Sequence, residues 1–196
     1  MTDNRLYDLS RVVDFLFEAM MLKQTPRTGY AFLGHGRETV AEHSFGVAVL
    51  AFTLVQMNGQ ANLEQTLKMA LFHDLAEART GDLNYMNKRY VTMDEDRAMR
   101  DSVAGLPFAD QLTGGWTEWR DGRSLEAQLA ADADQLDMIM ELRRLQTLGS
   151  EQAEDWLFYA QKRLKTEEGR KLFEEIISAD PTNWWFEKRE DYWVKK

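Results

Sequence analysis

Residues 71–82 read LFHDLAEARTGD, a stretch that holds a histidine and three acids within twelve positions. His73 and Asp74 are adjacent, Glu77 follows one helical turn after His73, and Asp82 comes directly after a glycine. Imidazole and carboxylate groups together suit a divalent metal such as Mn, Co, Fe or Zn. The stretch therefore indicates a metal site carried by a helical part of the chain.

Two further helical patterns add ligand types to this motif. On the first, His43 is the only polar residue on a helix face that also contains Val40, Val47, Leu50 and Leu54. On the second, Asp134 is the one acid in a row with Ala127, Ala131, Met138 and Leu145. An unpaired carboxylate in an apolar row is costly, so it usually has a metal or a cation as partner. Asp137 lies beside this row and is a candidate to contact a metal ligand without binding the metal itself.

Composition limits the classes of protein that this chain can belong to. With 196 residues and 44% hydrophobic content, the chain is expected to form a single domain, residues 1–196, with a sizeable core. The net charge of -9 opposes binding to nucleic acid, whose phosphates are normally neutralised by Lys and Arg. There is no cysteine, which excludes disulfides and thiolate metal sites. Neither a signal peptide nor a membrane span is apparent, so we expect a cytoplasmic protein.

The hydrophobic periodicity predicts an all-α chain of about seven to nine helices, without paired strands. The motif-bearing core is expected over about 9–148, followed by C-terminal helices and an aromatic tail, 149–196. Residues 23–37 are predicted to be a loop, and 107–122 give no clear pattern. The predicted helices cover residues 9–21, 40–57, 62–78, a segment after Thr92, 124–148, 151–164 and 167–177.

The order His43, His73-Asp74, Asp134 resembles that of the HD-domain metal-dependent phosphohydrolases, and in particular their 5′-deoxynucleotidase branch. The matching segments are PRTGY at 26–30, ETVAEHS at 38–44, LFHDLAEARTGD at 71–82 and ADQL at 133–136. Where that branch commonly has a tryptophan after its arginine, the nearest aromatic residue here is Tyr30.

The resemblance implies roles for individual residues. One divalent metal ion would be bound by His43, His73, Asp74 and Asp134. The catalytic carboxylates would be Glu77 and Asp82, with Asp82 near the deoxyribose. The substrate-binding residues would be Arg27 for phosphate, Tyr30 and Asp82, and Lys88 is a further candidate for a phosphate contact.

The implied reaction is hydrolysis of nucleoside 5′-monophosphates, with deoxyribonucleotides as the expected form. A bound metal brings the pKa of water towards about 7, so that hydroxide is available to attack phosphorus. Arg27 would hold charge on the phosphoryl oxygens. Glu77 would orient the nucleophile or protonate the leaving 5′-oxygen, and Asp82 would accept a hydrogen bond from the sugar 3′-hydroxyl.

Alternatives remain open from the sequence. One alternative is an enzyme whose substrate is another small phosphorylated metabolite or a nucleoside triphosphate. A different hypothesis is a non-catalytic, metal-stabilised module that binds nucleotide or a protein. Taken alone, His43 is more simply a hydrogen-bonded core histidine, and His35, between two glycines, a solvated loop residue. The expected partners are a small phosphorylated substrate and a second copy of the chain in a homodimer, with no nucleic acid and no membrane.

Overall fold

The regular elements of the computed structural model, which describes residues 8–186, are helices. Within that range the one β-type pairing is an isolated bridge between Pro26 and Thr39. Eight of its ten α-helices have nine residues or more, which agrees with the predicted all-α class and number of helices. The helices are α1 Leu9–Met20, α2 Tyr30–Leu33, α3 Val40–Asn58, α4 Leu63–Phe72, α5 Glu77–Thr80, α6 Glu95–Val103, α7 Ala109–Asp121, α8 Leu125–Thr147, α9 Gln152–Ala160 and α10 Glu167–Ser178.

Helix α3 lies at the centre and packs against both α4 and α8. Its predicted inner face is confirmed, because Val40, His43, Val47, Leu50 and Leu54 are all buried. By length and a mean hydropathy of 1.4, α3 also passes as a membrane-spanning helix, a property that buried core helices share. A capping box between Thr39 and Glu42 fixes where the helix begins.

The predicted helix over 62–78 is interrupted at residues 73–76, between α4 and α5. Helix α4 ends at Phe72, and the amides of Leu75 and Glu77 then bond to the carbonyls of Phe72 and Asp74, three residues back. Such bonds tighten the backbone relative to an α-helix. Within this turn the side chains of His73 and Asp74 approach each other, with 3.1 Å between His73 Nε2 and Asp74 Oδ2.

A second group of helices, α1, α6 and α7, packs around Leu75 and Ala76 of this turn. Helix α7 lies within 107–122, the stretch whose sequence shows no clear pattern. Gly115 is buried and faces the aliphatic part of Lys68 on α4. The predicted loop over 23–37 is likewise interrupted by the single helical turn α2.

The C-terminal helices α9 and α10 pack against α8. Asp132 of α8 is fully buried and accepts hydrogen bonds from the amides of Lys165 and Thr166, at 2.7 and 2.8 Å, and from the Thr166 hydroxyl at 2.6 Å. A Cβ atom at Gly169 would lie 2.3 Å from this carboxylate, so the glycine permits the approach. Asp132 therefore joins the start of α10 to α8.

Of the aromatic tail, Trp184 is exposed, and Tyr192 and Trp193 lie outside the described residues.

Replacing Asp132 by Ala is expected to lower the free energy of unfolding by about 2–5 kcal/mol, because two buried amides and a hydroxyl lose their acceptor. Urea unfolding measures this change, and Asp155→Ala on the exposed side of α9 is the control. Equal stability of the two variants would contradict the anchoring role of Asp132.

Candidate metal centre and cleft

Three segments that are distant in sequence meet at one point of the structure. His43 comes from α3, His73 and Asp74 from the tight turn after α4, and Asp134 from α8. His43 Nε2 lies 3.1 Å from Asp134 Oδ1 and 3.7 Å from Asp74 Oδ2, and His73 Nε2 lies 3.1 Å from Asp74 Oδ2. The four residues predicted as metal ligands are therefore neighbours.

The donor set fits a divalent metal ion. The Nε2 atoms of His43 and His73 are buried, and neither makes a hydrogen bond with the described residues. One ligand atom from each of His43, His73 and Asp134 lies within 4.8 Å of the others. Nitrogen and oxygen ligands bound at about 2.0–2.2 Å to one ion are themselves about 3.0–3.5 Å apart. Small movements of these side chains would suffice to bind an ion.

Both imidazole rings are held through Nδ1, the ring nitrogen that points away from the cluster. His73 Nδ1 donates to the carbonyl of Ala70 at 2.9 Å, and His43 Nδ1 lies 2.7 Å from Asp137 Oδ2. Because a carbonyl oxygen only accepts, the hydrogen of a neutral His73 ring resides on Nδ1 and its lone pair on Nε2. Each ring thus directs Nε2 at the meeting point, the arrangement found for metal-binding histidines.

The electrostatics of this cluster favour a cation. Burial raises the pKa of Asp134, but the close contact with His43 Nε2 and the charges of both histidines outweigh this and bring the pKa below its ordinary value. Burial lowers the pKa of His43, but Asp134 and Asp137 outweigh this and raise the pKa to about 10. The negative charges of the acids therefore favour a proton on His43. A metal ion bound at the same point would neutralise these charges in its place.

Arg27 lies beside the cluster on a loop that is bonded to the start of α3. Its Nη1 is 3.5 Å from Asp74 Oδ2, and its Nε is 3.8 Å from Glu38 Oε2. Burial lowers the pKa of Arg27, but the charges of Asp134 and Asp74 outweigh it, so the pKa is raised. The amide of Arg27 donates to the Glu38 carbonyl at 2.9 Å. The guanidinium is thus a fixed positive charge next to the ligands.

Glu77 is a buried acid, and one of its carboxylate oxygens has no hydrogen-bond partner among the described residues. Glu77 is 8% exposed, and that oxygen is its Oε2. Burial, followed by the charges of Asp74 and Asp82, raises the pKa of Glu77 to about 9. Glu77 is therefore able to hold a proton at neutral pH beside the metal cluster.

A cleft of about 910 Å³ opens over the cluster. Its lining includes every site residue predicted from the sequence except the two buried histidines, namely Arg27, Tyr30, Asp74, Glu77, Asp82, Lys88 and Asp134. Helix α9, for which the sequence suggested no role in the site, contributes Trp156 and Tyr159. His35 is exposed and is not part of this lining.

Like Arg27, two more of the predicted substrate-binding residues, Asp82 and Tyr30, already have partners in the protein. Asp82 Oδ2 accepts from the Thr28 amide at 2.6 Å and from the Thr28 hydroxyl at 3.2 Å. The Tyr30 hydroxyl donates to Glu38 at 3.2 Å. Burial, then the charge of Glu38, raises the pKa of Tyr30. One carboxylate oxygen of Asp82 therefore serves the loop, and the roles of Asp82 and Tyr30 towards a substrate stay predictions.

Several residues of the site were missed by sequence reasoning. Glu38 contacts both Arg27 and Tyr30, and its place at the head of the segment ETVAEHS is the signal that could have found it. The Trp119 ring packs on His73 with 4.8 Å between ring centroids. Gln135 donates to Asp134 Oδ2 at 3.0 Å. No local pattern indicates Trp119 or Gln135, because their partners are distant in sequence or on a neighbouring helix face.

Comparisons with known proteins identify the family of this chain. A protein named 5′-deoxynucleotidase HDDC2 from Homo sapiens is 29% identical over 143 residues, which are 70% of this chain and 69% of that protein. The 5′-deoxynucleotidase hdd1 of Schizosaccharomyces pombe is 27% identical over 141 residues, covering 67% and 70%. A conserved hypothetical protein from Pyrococcus furiosus superposes with a TM-score of 0.72 and 28% identity, over 85% of this chain and 99% of that one. The family model for the HD domain matches residues 19–176. The chain therefore belongs to the HD domain family.

Proposed function

We propose that this chain is a metal-dependent phosphomonoesterase that hydrolyses deoxynucleoside 5′-monophosphates to nucleoside and phosphate. The observation that carries the proposal is the pair of buried, unpartnered imidazole nitrogens beside Asp74 and Asp134, with Arg27 and Glu77 at the same cleft. The human and fission yeast relatives, both named 5′-deoxynucleotidases, support the substrate class.

A divalent ion held by His43, His73, Asp74 and Asp134 would supply an acidic water molecule and positive charge for the phosphoryl oxygens. Without such an ion, a phosphate would meet the negative charges of Asp74 and Asp134 at close range. Ligands of nitrogen and oxygen type suit Mn, Co, Fe or Zn. We propose one ion per chain, since His35 is exposed and lies outside the cleft lining.

Arg27 is the residue that we assign to the phosphate. Its guanidinium lies 3.5 Å from a predicted metal ligand, so a phosphate at the metal centre would be within reach of its hydrogen-bond donors. Lys88, on the 3-10 helical turn Asn87–Arg89, lines the same cleft and adds a second positive charge. Together they orient the phosphoryl group and offset its charge during the reaction.

Glu77 is the acid that we assign to proton transfer. Glu77 lines the cleft beside the ligands, and in the metal-free chain burial raises its pKa to about 9. These features suit it to donate a proton to the leaving 5′-oxygen of the sugar. Asp82, at the same cleft, has one carboxylate oxygen bonded to Thr28, and we assign its other oxygen to the sugar 3′-hydroxyl.

We also propose a cytoplasmic homodimer that does not bind nucleic acid. One face of α1 and one of α3 expose large apolar side chains, which support an interface between copies. They are Leu9, Val13, Leu16, Phe17 and Met20 on α1 and Phe45, Val49 and Phe52 on α3. Sedimentation equilibrium of the purified chain would measure the molar mass, and a monomer at micromolar concentration would contradict the dimer.

The substrate proposal is tested by a panel of phosphorylated compounds. Protein stripped with a chelator is reloaded with Mn²⁺, Co²⁺ or Zn²⁺ and given deoxynucleoside, ribonucleoside and sugar monophosphates and nucleoside triphosphates. We expect phosphate release from deoxynucleoside monophosphates only with metal, with kcat/KM at least about tenfold above the other compounds. Release from triphosphates alone would reject the proposal. Metal binding without any hydrolysis would favour the non-catalytic module.

A further inference from the structure

We propose that Asp137 and Gly46 form a positioning pair that fixes the orientation and tautomer of His43 and thereby sets the affinity of the metal centre. This inference rests on the metal centre of the proposed function. It assigns roles to two residues that make no contact with the substrate-binding residues Arg27 and Lys88 in the described hydrogen bonds and ion pairs.

Helix α8 contacts both nitrogens of the His43 ring. Asp134 Oδ1 lies 3.1 Å from Nε2, and Asp137 Oδ2 lies 2.7 Å from Nδ1. The two acids are three residues apart, a spacing at which side chains share one face of a helix. One turn of α8 thus supplies a metal ligand and the hydrogen-bond acceptor that holds another ligand in place.

Gly46 makes room for the Asp137 carboxylate. It lies one turn after His43 on α3, and a Cβ atom at this position would be 1.8 Å from Asp137 Oδ1 and 2.8 Å from its Cγ. Glycine inside a helix is about 1 kcal/mol less favourable than alanine, so its use here needs a compensating reason. That reason is the hydrogen bond between Asp137 and His43, which a larger residue would displace.

A second possible metal site, which includes His43 and Asp137, is less consistent with the chemistry of imidazole. Glu38, His43 and Asp137 also have ligand atoms within 4.8 Å of one another and could hold an ion. That ion would need the Nδ1 lone pair of His43, whereas a neutral imidazole has only one nitrogen with a lone pair. The buried nitrogen without a hydrogen bond is Nε2, so Nδ1 is the one that carries hydrogen and donates to Asp137.

The hydrogen bond to a carboxylate has two effects on a metal-binding histidine. It fixes the plane of the ring, and it makes the opposite nitrogen more basic towards the ion. Loss of such a partner typically costs about 10–100-fold in metal affinity. The same loss is expected whether the acceptor is deleted at Asp137 or pushed away by a side chain at Gly46.

The test compares five variants of the full chain: Asp137→Ala, Asp137→Asn, Gly46→Ala, the double variant Gly46→Ala/Asp137→Ala, and Gly114→Ala. The control Gly114→Ala replaces a helical glycine that has nothing within 4 Å of its would-be Cβ. Competition with a chelator measures the Kd for Mn²⁺ or Zn²⁺. Circular dichroism checks the fold, and the imidazole ¹⁵N shifts report the tautomer of His43. At saturating metal, kcat and KM are measured separately.

We expect Asp137→Ala and Gly46→Ala each to weaken metal binding about 10–100-fold, with KM for nucleotide at saturating metal near wild type. Asp137→Asn should bind metal more tightly than Asp137→Ala, because its amide oxygen still accepts from Nδ1. The double variant should be no weaker than Asp137→Ala alone, since the acceptor is already lost. Gly114→Ala should match wild type.

Wild-type metal affinity in folded Asp137→Ala would overturn the inference, and so would two ions per chain in wild type with one in that variant. If Gly46→Ala fails to fold, the two Asp137 variants still decide the matter. Reduced metal affinity in these variants, together with no nucleotide hydrolysis by wild type, would reject the proposed function and leave this inference standing.

Discussion

Replacing Glu77 by Gln is expected to lower kcat for nucleotide hydrolysis by about 10²–10⁴-fold, while the metal content stays at the wild-type level. Glutamine has nearly the same size but cannot donate a carboxyl proton to the leaving oxygen. Glu77 is not among the residues whose ligand atoms form the metal cluster, so the ion should stay bound. Phosphate release and metal analysis of the same preparation measure the two effects.

The same substitution should change how stability depends on pH. Burial and neighbouring acids raise the pKa of Glu77 to about 9, above that of an exposed glutamate. A raised acid pKa contributes stability below the unfolded-state value, and this contribution is lost as pH rises towards 9. The melting temperature of metal-free wild type should therefore fall more between pH 5 and pH 9 than that of Glu77→Gln.

Glu64→Gln is the matched control, because the Glu64 side chain is 85% exposed on α4. It should leave kcat, metal content and the pH dependence of melting unchanged. Full turnover by Glu77→Gln would remove Glu77 from the reaction and would return the non-catalytic module to consideration.

Replacing Asp134 by Ala is expected to weaken metal binding by more than the roughly 10–100-fold typical of outer-shell partners, and to abolish nucleotide hydrolysis at micromolar metal. The fold should survive, because the Asp134 side chain is partly exposed at the cleft, where it contacts His43 and accepts one hydrogen bond from Gln135. Metal analysis and circular dichroism separate the two effects.

Asp132→Ala provides the opposite pattern on the same helix, two residues away. It should lose stability and, where folded, keep the metal, whereas Asp134→Ala should keep stability and lose the metal. An Asp134→Ala protein that retains a full complement of metal would show that another acid is the ligand.

The helices that carry the site were predictable because their signals are local. The inward face of α3 follows from apolar residues at helical spacing, with His43 as the polar exception. Ser124 caps α8 by accepting from the amide of Ala127, and Gly59 ends α3 in a left-handed conformation. Such features depend on neighbours within one turn, so periodicity and end signals are sufficient to place them.

The remaining features depend on contacts between distant residues. In the row on α8 that includes Asp134, Ala127 and Leu145 are buried, but Asp134 and Met138 line the cleft. The fully buried acid on that helix is Asp132, whose partners are more than thirty positions away. The tight turn at His73 and the fit of Gly46 against Asp137 are equally invisible to periodicity. Tertiary packing decides these positions, and one sequence does not encode it locally.

The loop around Arg27 has a consequence for how product leaves. The amide of Arg27 donates to the Glu38 carbonyl and that of Val40 to the Thr25 carbonyl, so the Arg27 loop is tied to the start of the helix that carries His43. Across the cleft, the backbone bonds found for residues 84–91 are local ones, such as those from Lys88 to Asn84 and from Tyr90 to Asn87. We therefore expect the nucleoside to leave on that side, where the chain can move with Lys88 while the metal ligands and Arg27 stay in place.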